Sequence, residues 1–168
     1  MKAQRVVGGA VRTEKVDCQN CGKVKELGIR CEVCEWPKIE VFPKAGGRFL
    51  VSLPLCPSTN DRMEPVRMGR YARMRLTDDA SDYIKTVGAE LRIILERAAE
   101  SHGFKPLATW AEVKVWTVLP RTVCDGHNYF KVLFDALELG GYLVNDKYAL
   151  PNLVGIAFDK NPHMAVEA

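Results

Sequence analysis

The sequence predicts an α+β fold, with a mixed β-sheet and two main helices, preceded by a small cysteine-rich module. Two segments carry apolar residues at three- and four-residue spacing, and three others read as strands. These patterns are typical of core-facing helices and of extended, partly buried segments. The segments follow one another as strand, helix, strand, helix and strand, an order that favours a mixed sheet.

The size and composition of the chain limit its class. Its 168 residues fit one ordinary domain with a small appendage, and a hydrophobic content of 47% with 27% charged residues is typical of a soluble globular protein. No apolar run reaches the length of a membrane span, and the N-terminus lacks a signal-peptide core, so we expect a cytoplasmic protein without a membrane partner. "FPKAGG", residues 42–47, predicts a linker through its Pro and paired Gly. We therefore predict one unit over 1–46 and the main domain over 47–168.

The cysteines of the first unit have the spacing of a metal site. "CQNCGKVKELGIRCEVC" places Cys18, Cys21, Cys31 and Cys34 as two CxxC pairs separated by nine residues. Two such turns facing each other form a tetrahedral thiolate site suited to zinc. Two disulfides are the alternative, which intracellular chains seldom keep. A closed four-cysteine site has no open position, so we predict a structural Zn²⁺ ribbon or knuckle pair.

The first half of the main domain contains a strand, a loop and the clearest helix. "RFLVSLP" predicts a strand, and "LCPSTNDRMEPVRMGR", residues 55–70, predicts a long loop rich in turn formers. Thr77 is a plausible helix N-cap and Gly103 a plausible stop. The lone cysteines, Cys56 and Cys124, are expected to be small buried hydrophobes.

The second half repeats the alternation of strands and helices. "TWAEVKVWTVLP" predicts a strand that ends at Pro120. A second helix is predicted from about Asn128 to Leu139, where two glycines stop it. "YLVND" then predicts a short extended segment and "NLVGIAF" a final strand.

The charges are unevenly distributed. Residues 1–46 hold nine Lys or Arg against six Asp or Glu, whereas residues 47–168 hold fifteen of each. Within the neutral part, one segment holds five arginines and only two acids. The arginines are Arg62, Arg67, Arg70, Arg73 and Arg75. Such a cluster suits phosphate groups, although a solvated arginine-rich loop would look the same.

A narrow polar stripe runs along the second predicted helix. Asn128, Lys131, Asp135 and Glu138 fall at three- and four-residue steps among large apolar residues. One interpretation is a thin solvated edge with a buried, hydrogen-bonded Asp. The other is a site, because Asp125 and His127 directly precede the helix and Asp146 follows it. Carboxylates and an imidazole that converge there would suit Mg²⁺ or Mn²⁺.

The chain from about 49 to 158 resembles the RusA family of Holliday junction resolvases, small endodeoxyribonucleases often encoded by phages and prophages. "SLPLCPSTNDR" is similar to the family's opening strand and asparagine-containing loop. "LPRTVCDGHNYFKVLFDALELGGYLVNDK" is similar to its pattern of a Pro with basic residues, Asp-x-Asp-Asn, a Lys three residues later, Asp-Ala-Leu, a Gly and a closing acidic pair. The spacing agrees without a gap.

The resemblance assigns roles to individual residues. Asp125 matches the first catalytic aspartate, Lys131 the catalytic lysine, and Asp146 the essential member of the closing pair. His127 stands where the family has a second Asp, and Asn145 replaces the first acid of the closing pair. Imidazole binds Mn²⁺ well and Mg²⁺ poorly, so His127 would be a ligand that shifts metal preference; alternatively it is a satisfied residue that binds no metal.

The resemblance also implies an activity. We expect a homodimeric, metal-dependent endonuclease that hydrolyses phosphodiesters of branched DNA in recombination or repair, acting in the host cytoplasm if the chain is phage-encoded. The arginine cluster and Arg121 would contact DNA, and the supporting residues would be Asn60, Asn128 and Asp135. One alternative is a non-catalytic, zinc-containing DNA-binding or regulatory protein. Another is a nuclease for other structured DNA.

Overall fold

The computed structural model describes residues 15–17, 23–26, 38–68, 71–120 and 126–168. Its strands are β1 Lys15–Asp17, β2 Val24–Glu26, β3 Glu40–Pro43, β4 Phe49–Pro54, β5 Met63–Met68, β6 Tyr71–Leu76, β7 Ala111–Leu119, β8 Ala149–Phe158 and β9 His163–Glu167. Its helices are α1 Asp78–His102 and α2 Phe130–Leu139. Short 3-10 turns cover Ala45–Gly47, Thr59–Asp61, Gly126–Tyr129 and Asp146–Tyr148.

Five strands form the main sheet in the order β3-β4-β9-β7-β8. The β7–β8 pair is parallel and the other pairs are antiparallel, so the sheet is mixed. β5 and β6 form a separate two-stranded ribbon. The predicted α+β class with two helices and a mixed sheet is confirmed.

One face of the sheet packs into the core, because side chains alternate along each strand. Phe49, Val51 and Leu53 of β4 are buried, as their spacing predicts. On β7 the buried positions are Val113, Val115, Thr117 and Leu119. The same core includes Met164 and Val166 of β9, together with apolar residues of both helices.

The ends of α1 follow the predicted capping residues. The Thr77 hydroxyl accepts a hydrogen bond from the Ala80 N–H at 3.4 Å, and Gly103 adopts the left-handed conformation with φ of 69°. Glycine tolerates that conformation without a steric cost, so the helix stops there. Within the helix, the buried Tyr83 hydroxyl donates to the Pro54 carbonyl at 2.7 Å and ties α1 to β4. Burial raises the pKa of this hydroxyl.

Two glycines let the helices approach closely, which fixes the position of α2. A Cβ atom added at Gly88 would lie 2.9 Å from the Leu139 side chain, and one at Gly140 would lie 2.7 Å from the Leu91 side chain. The contact is reciprocal, because each leucine fills the space that a side chain would need. α2 begins at Phe130, two residues later than predicted, since 126–129 forms a 3-10 turn.

The long loop predicted over 55–70 is wrong for much of its length. The 3-10 turn Thr59–Asp61 is followed by β5, which pairs with β6 in register from Met63↔Leu76 to Met68↔Tyr71. Pro65, one of the turn formers in the segment predicted as a loop, lies inside β5. In a two-stranded ribbon both strands are edges, so a missing N–H can be tolerated.

The main sheet extends beyond the predicted strands. β3 includes Phe42 and Pro43, which were expected in a linker, and it pairs with β4. The "YLVND" segment contributes a single bridge, Leu107↔Leu143, and then enters the 3-10 turn at Asp146. β9 was not predicted; its burial pattern, with Met164 and Val166 inside, fits an inner strand that packs one face on the core.

Near the N-terminus, β1 and β2 pair as a short antiparallel hairpin. The first CxxC pair, Cys18 and Cys21, lies in the connection between these strands, outside the described residues, as do Cys31 and Cys34. The zinc site and the division at residue 46 stay predictions. Of the helices described, none has the length and apolar character needed to cross a membrane.

Candidate active site

Lys131 connects the polar stripe of α2 to the segment that follows the helix. Lys131 Nζ donates to Oδ1 of Asp135, one turn further along the helix, at 2.7 Å. It also donates to Oδ2 of Asp146, which begins the 3-10 turn Asp146–Tyr148. Two carboxylates from different segments therefore share one ammonium group. The side chain of Lys131 remains 43% exposed, so solvent reaches this charge.

Two further groups hold the two aspartates in place. Arg62 Nη2 lies 2.9 Å from Oδ2 of Asp135, and the side chains are only 22% and 19% exposed. Glu138 Oε2 accepts a hydrogen bond from the Asp146 N–H at 2.9 Å. We name these five residues, Arg62, Lys131, Asp135, Glu138 and Asp146, the charged cluster. Each acid in it contacts a donor from another segment or another turn.

The charged cluster is assembled by short turns that converge on the start of α2. The 3-10 turn Thr59–Asp61 lies against both the turn Gly126–Tyr129 and α2. Cys56, which is buried as predicted, adds a link because its thiol donates to the Tyr129 carbonyl at 3.2 Å. Burial raises the pKa of this thiol, so it stays protonated and is a structural donor.

The electrostatics of the cluster keep Lys131 charged. Partial burial alone would lower the pKa of this amine, but the hydrogen bonds and charges of Asp135 and Asp146 outweigh that effect, and its pKa is raised. At neutral pH the group is an ammonium ion that can donate hydrogen bonds or stabilise negative charge. It is not a base.

The structure brings together some of the predicted site residues. Lys131, Asp135 and Asp146 meet directly. His127 is exposed, with its ring 5.4 Å from the ring of Phe130 in an edge arrangement, and Asn128 lies in the same 3-10 turn. Asp125, like Arg121, lies outside the described residues, so its meeting with Asp146 stays a prediction.

The predicted arginine cluster is divided. Arg62 bonds to Asp135 within the site, so the structure gives it a positioning contact. The register of the ribbon places Arg73 and Arg75 on one face and Arg67 on the other. Arg75 Nε lies 2.6 Å from Glu64. Arg70 falls outside the described residues, and Asn60 is exposed in the turn before the ribbon.

The donors fit a hard divalent ion in chemical type. Carboxylate oxygens are the ligands that Mg²⁺ prefers, and an imidazole adds affinity for Mn²⁺. Within the part of the chain that the structure describes, no three His, Cys, Asp or Glu side chains lie together as a metal-binding group. The predicted ligand set of Asp125, His127 and Asp146 includes a residue beyond that part and stays a prediction.

Two roles were missed from the sequence. Glu138 was placed in the polar stripe but given no function, although its position one turn after Asp135 indicated that it would face the same segment. The contact of Arg62 with Asp135 had no sequence signal, because the two residues are far apart in the chain and meet only through the fold.

Comparison with known protein families finds no family whose model matches the chain. Comparison with curated proteins likewise finds no match.

Proposed function

We propose that this protein is a metal-dependent endodeoxyribonuclease that cleaves branched DNA, such as four-way junctions, by phosphodiester hydrolysis. The observation that carries the proposal is the Lys131 ammonium shared by Asp135 and Asp146. Lys131 and Asp146 match two of the residues that the resemblance to RusA resolvases marks as catalytic. Their contact, across a helix and the following turn, supports the assignment of both to one site.

Each residue of the proposed site has a distinct task. A divalent ion held by Asp125, Asp146 and His127 would supply an activated water and a polarised phosphate. Lys131, kept positive by its neighbours, stabilises the negative charge that builds on the phosphate oxygens. Asp135 orients the ammonium, and Arg62 orients Asp135. Glu138 fixes the backbone at Asp146.

The β5–β6 ribbon would hold DNA beside this site. It starts directly after Arg62, and the Thr77 N–H donates to the Arg62 carbonyl at 2.8 Å, which closes the base of the ribbon next to the charged cluster. Arg67 and Arg73 are exposed along it. Arginines on a two-stranded ribbon give affinity for the phosphate backbone and little sequence preference. Paired cuts in a junction would require two copies of the chain, as in RusA resolvases.

The main rival is a DNA-binding protein without catalysis. The replacement of the family's second Asp by His127 favours it, because one negative charge is lost from the ligands of a hard cation. Such a protein would bind junctions with the same ribbon but would leave them intact.

A cleavage assay on a synthetic four-way junction tests the proposal. The wild type is compared with Asp125→Asn and Asp146→Asn, in Mg²⁺ and in Mn²⁺, with Asp159→Asn as the matched control because Asp159 is an exposed aspartate after β8. We expect cleavage by the wild type and the control and at least a hundredfold loss in both site variants, about the effect of removing one catalytic group. Tight binding without cleavage in either ion at protein excess would refute the nuclease. Equal cleavage of flaps, forks and junctions would instead indicate a broader structure-selective enzyme.

A further inference from the structure

An exposed tryptophan and a half-buried tyrosine lie next to the charged cluster and have no role in the proposed chemistry. The Trp110 side chain precedes β7 and is 63% exposed. Its ring centroid lies 6.0 Å from that of Tyr148, in an edge arrangement. Tyr148 ends the 3-10 turn that begins with Asp146, which bonds to Lys131. We call Trp110 and Tyr148 the aromatic pair.

The surroundings of the aromatic pair combine apolar surface with positive charge. Lys147 Nζ lies 4.8 Å from the centroid of the Tyr148 ring. Val144 and Leu150, on either side of the turn, are 55% and 51% exposed. The turn and the start of β7 are side by side, because Ala149 pairs with Ala111 in the β7–β8 register.

We propose that Trp110, with the Tyr148 ring perpendicular beside it, is a stacking platform for an unpaired nucleobase of the DNA substrate. This inference rests on the proposed function and deepens it. Aromatic faces next to ammonium groups suit a nucleotide, which offers a flat apolar ring and an anionic phosphate together. Lys147 lies over the Tyr148 ring, and Lys131 bonds to Asp146, which precedes Lys147 in the same turn. A uniformly paired duplex keeps its bases stacked and cannot use such a platform.

The position of the platform links it to substrate choice. Tyr148 is two residues from Asp146 in a 3-10 turn, which corresponds to about 4 Å along the turn axis. A base that stacks there would belong to a nucleotide close to the phosphate that we propose Lys131 binds. The platform therefore favours DNA with an unstacked base beside the cleaved bond over continuous duplex.

Binding of a short oligothymidylate without divalent ions tests the platform separately from cleavage. Affinity is measured by fluorescence anisotropy for the wild type, Trp110→Ala, Trp110→Phe and a matched control, Phe158→Ala. Phe158 is a 50% exposed aromatic residue at the far end of β8. We expect Trp110→Ala to weaken binding by about 5- to 150-fold, Trp110→Phe to keep most of the affinity, and Phe158→Ala to match the wild type.

Salt dependence separates stacking from charge. Because stacking releases no counterions, the ratio of wild-type to Trp110→Ala affinity should stay nearly constant as salt rises, although both affinities fall. Melting temperatures of all variants show whether each is folded.

Three results would overturn the platform: wild-type binding of Trp110→Ala, an equal loss in Phe158→Ala, or no binding of the oligothymidylate by the wild type. In the first case, a change of oligomeric state of Trp110→Ala in light scattering would identify the aromatic pair as a subunit interface instead. Failure of the platform can be distinguished from failure of the proposed nuclease. A wild type that binds this probe but cuts no junction retains the platform and loses the nuclease, whereas a wild type that cuts junctions and ignores the probe does the reverse.

Discussion

The guanidinium of Arg62 and the ammonium of Lys131 hold the two oxygens of a single carboxylate, that of Asp135, at 2.9 Å and 2.7 Å. Arg62 comes from the turn before the β5–β6 ribbon, and Lys131 comes from α2. Asp135 therefore connects the ribbon to the lysine that the proposed chemistry needs. We therefore expect substitution of Arg62 to affect stability, and substitution of Lys131 to affect catalysis.

Arg62→Ala should lower both stability and activity. The Arg62–Asp135 pair is mostly shielded from solvent, so losing its charged hydrogen bond should cost about 1 to 2 kcal/mol and lower the Tm by about 2 to 8 °C. The orientation of Lys131 should also loosen, with a fall in the junction cleavage rate. Differential scanning fluorimetry and the junction assay measure the two effects. Arg97→Ala, an exposed arginine on α1, should change neither. An unchanged Tm in Arg62→Ala would show that the contact does not stabilise the protein.

Lys131→Met should remove most of the cleavage activity with little loss of stability. Methionine keeps most of the length of the side chain and loses the charge that would stabilise the phosphate, so we expect a rate loss of about a hundred- to a thousandfold. The side chain is half exposed, so unfolding should change little. Single-turnover cleavage with saturating protein measures the chemical step. Lys85→Met, at an exposed position of α1, is the matched control. Cleavage by Lys131→Met at the wild-type rate would remove Lys131 from the mechanism.

The dependence of cleavage on pH should show no loss of activity from Lys131 between about pH 7 and pH 9. Burial lowers the pKa of this amine, but the hydrogen bonds and charges of Asp135 and Asp146 outweigh that effect, so its pKa is raised above the ordinary value of 10.5. The stabilising contact is therefore fully present below that value and is lost only as pH rises through the folded-state pKa. A pH–rate profile of the wild type, set beside that of Lys131→Arg, checks this. A basic limb below pH 9 that disappears in Lys131→Arg would contradict the expected direction.

Tyr142→Phe should destabilise the fold. The buried Tyr142 hydroxyl donates to the Phe49 carbonyl at 2.9 Å and accepts from the Ala168 N–H at 3.0 Å, joining the segment after α2 to β4 and to the end of the chain. Losing both bonds should cost about 1 to 3 kcal/mol in urea unfolding.

Burial, the largest effect, raises the pKa of the Tyr142 hydroxyl to about 12. Its contribution should therefore be complete below about pH 10 and fall as pH rises toward 12. Tyr71→Phe, at a 78% exposed position, should behave like the wild type.

Zinc removal should affect stability more than catalysis. We predict one Zn²⁺ per chain, held by Cys18, Cys21, Cys31 and Cys34 in a closed site that offers no coordination position to substrate. Cys18→Ser should lose the zinc and lower the Tm or the solubility, while the cleavage rate per folded molecule changes little. Elemental analysis of the purified protein measures the metal content. Cys56→Ser, at a buried position away from the motif, should retain the zinc. Protein purified without zinc would refute the four-cysteine site.

The sequence by itself determined the parts of this protein that depend on local chemistry. Thr77 and Gly103 marked the ends of α1 because capping groups and left-handed backbone are local requirements. Alternation revealed β4 and β7 because one face of each is buried, and the polar stripe singled out Lys131 and Asp135 because helix periodicity places them one turn apart.

The tertiary structure decided the rest. The β5–β6 ribbon was hidden by Pro65, β9 by its short length, and the contacts of Arg62 with Asp135 and of Trp110 with Tyr148 by their separation in the chain. Such pairings form only after the sheet and helices have packed, since their energy comes from groups that no local pattern brings together.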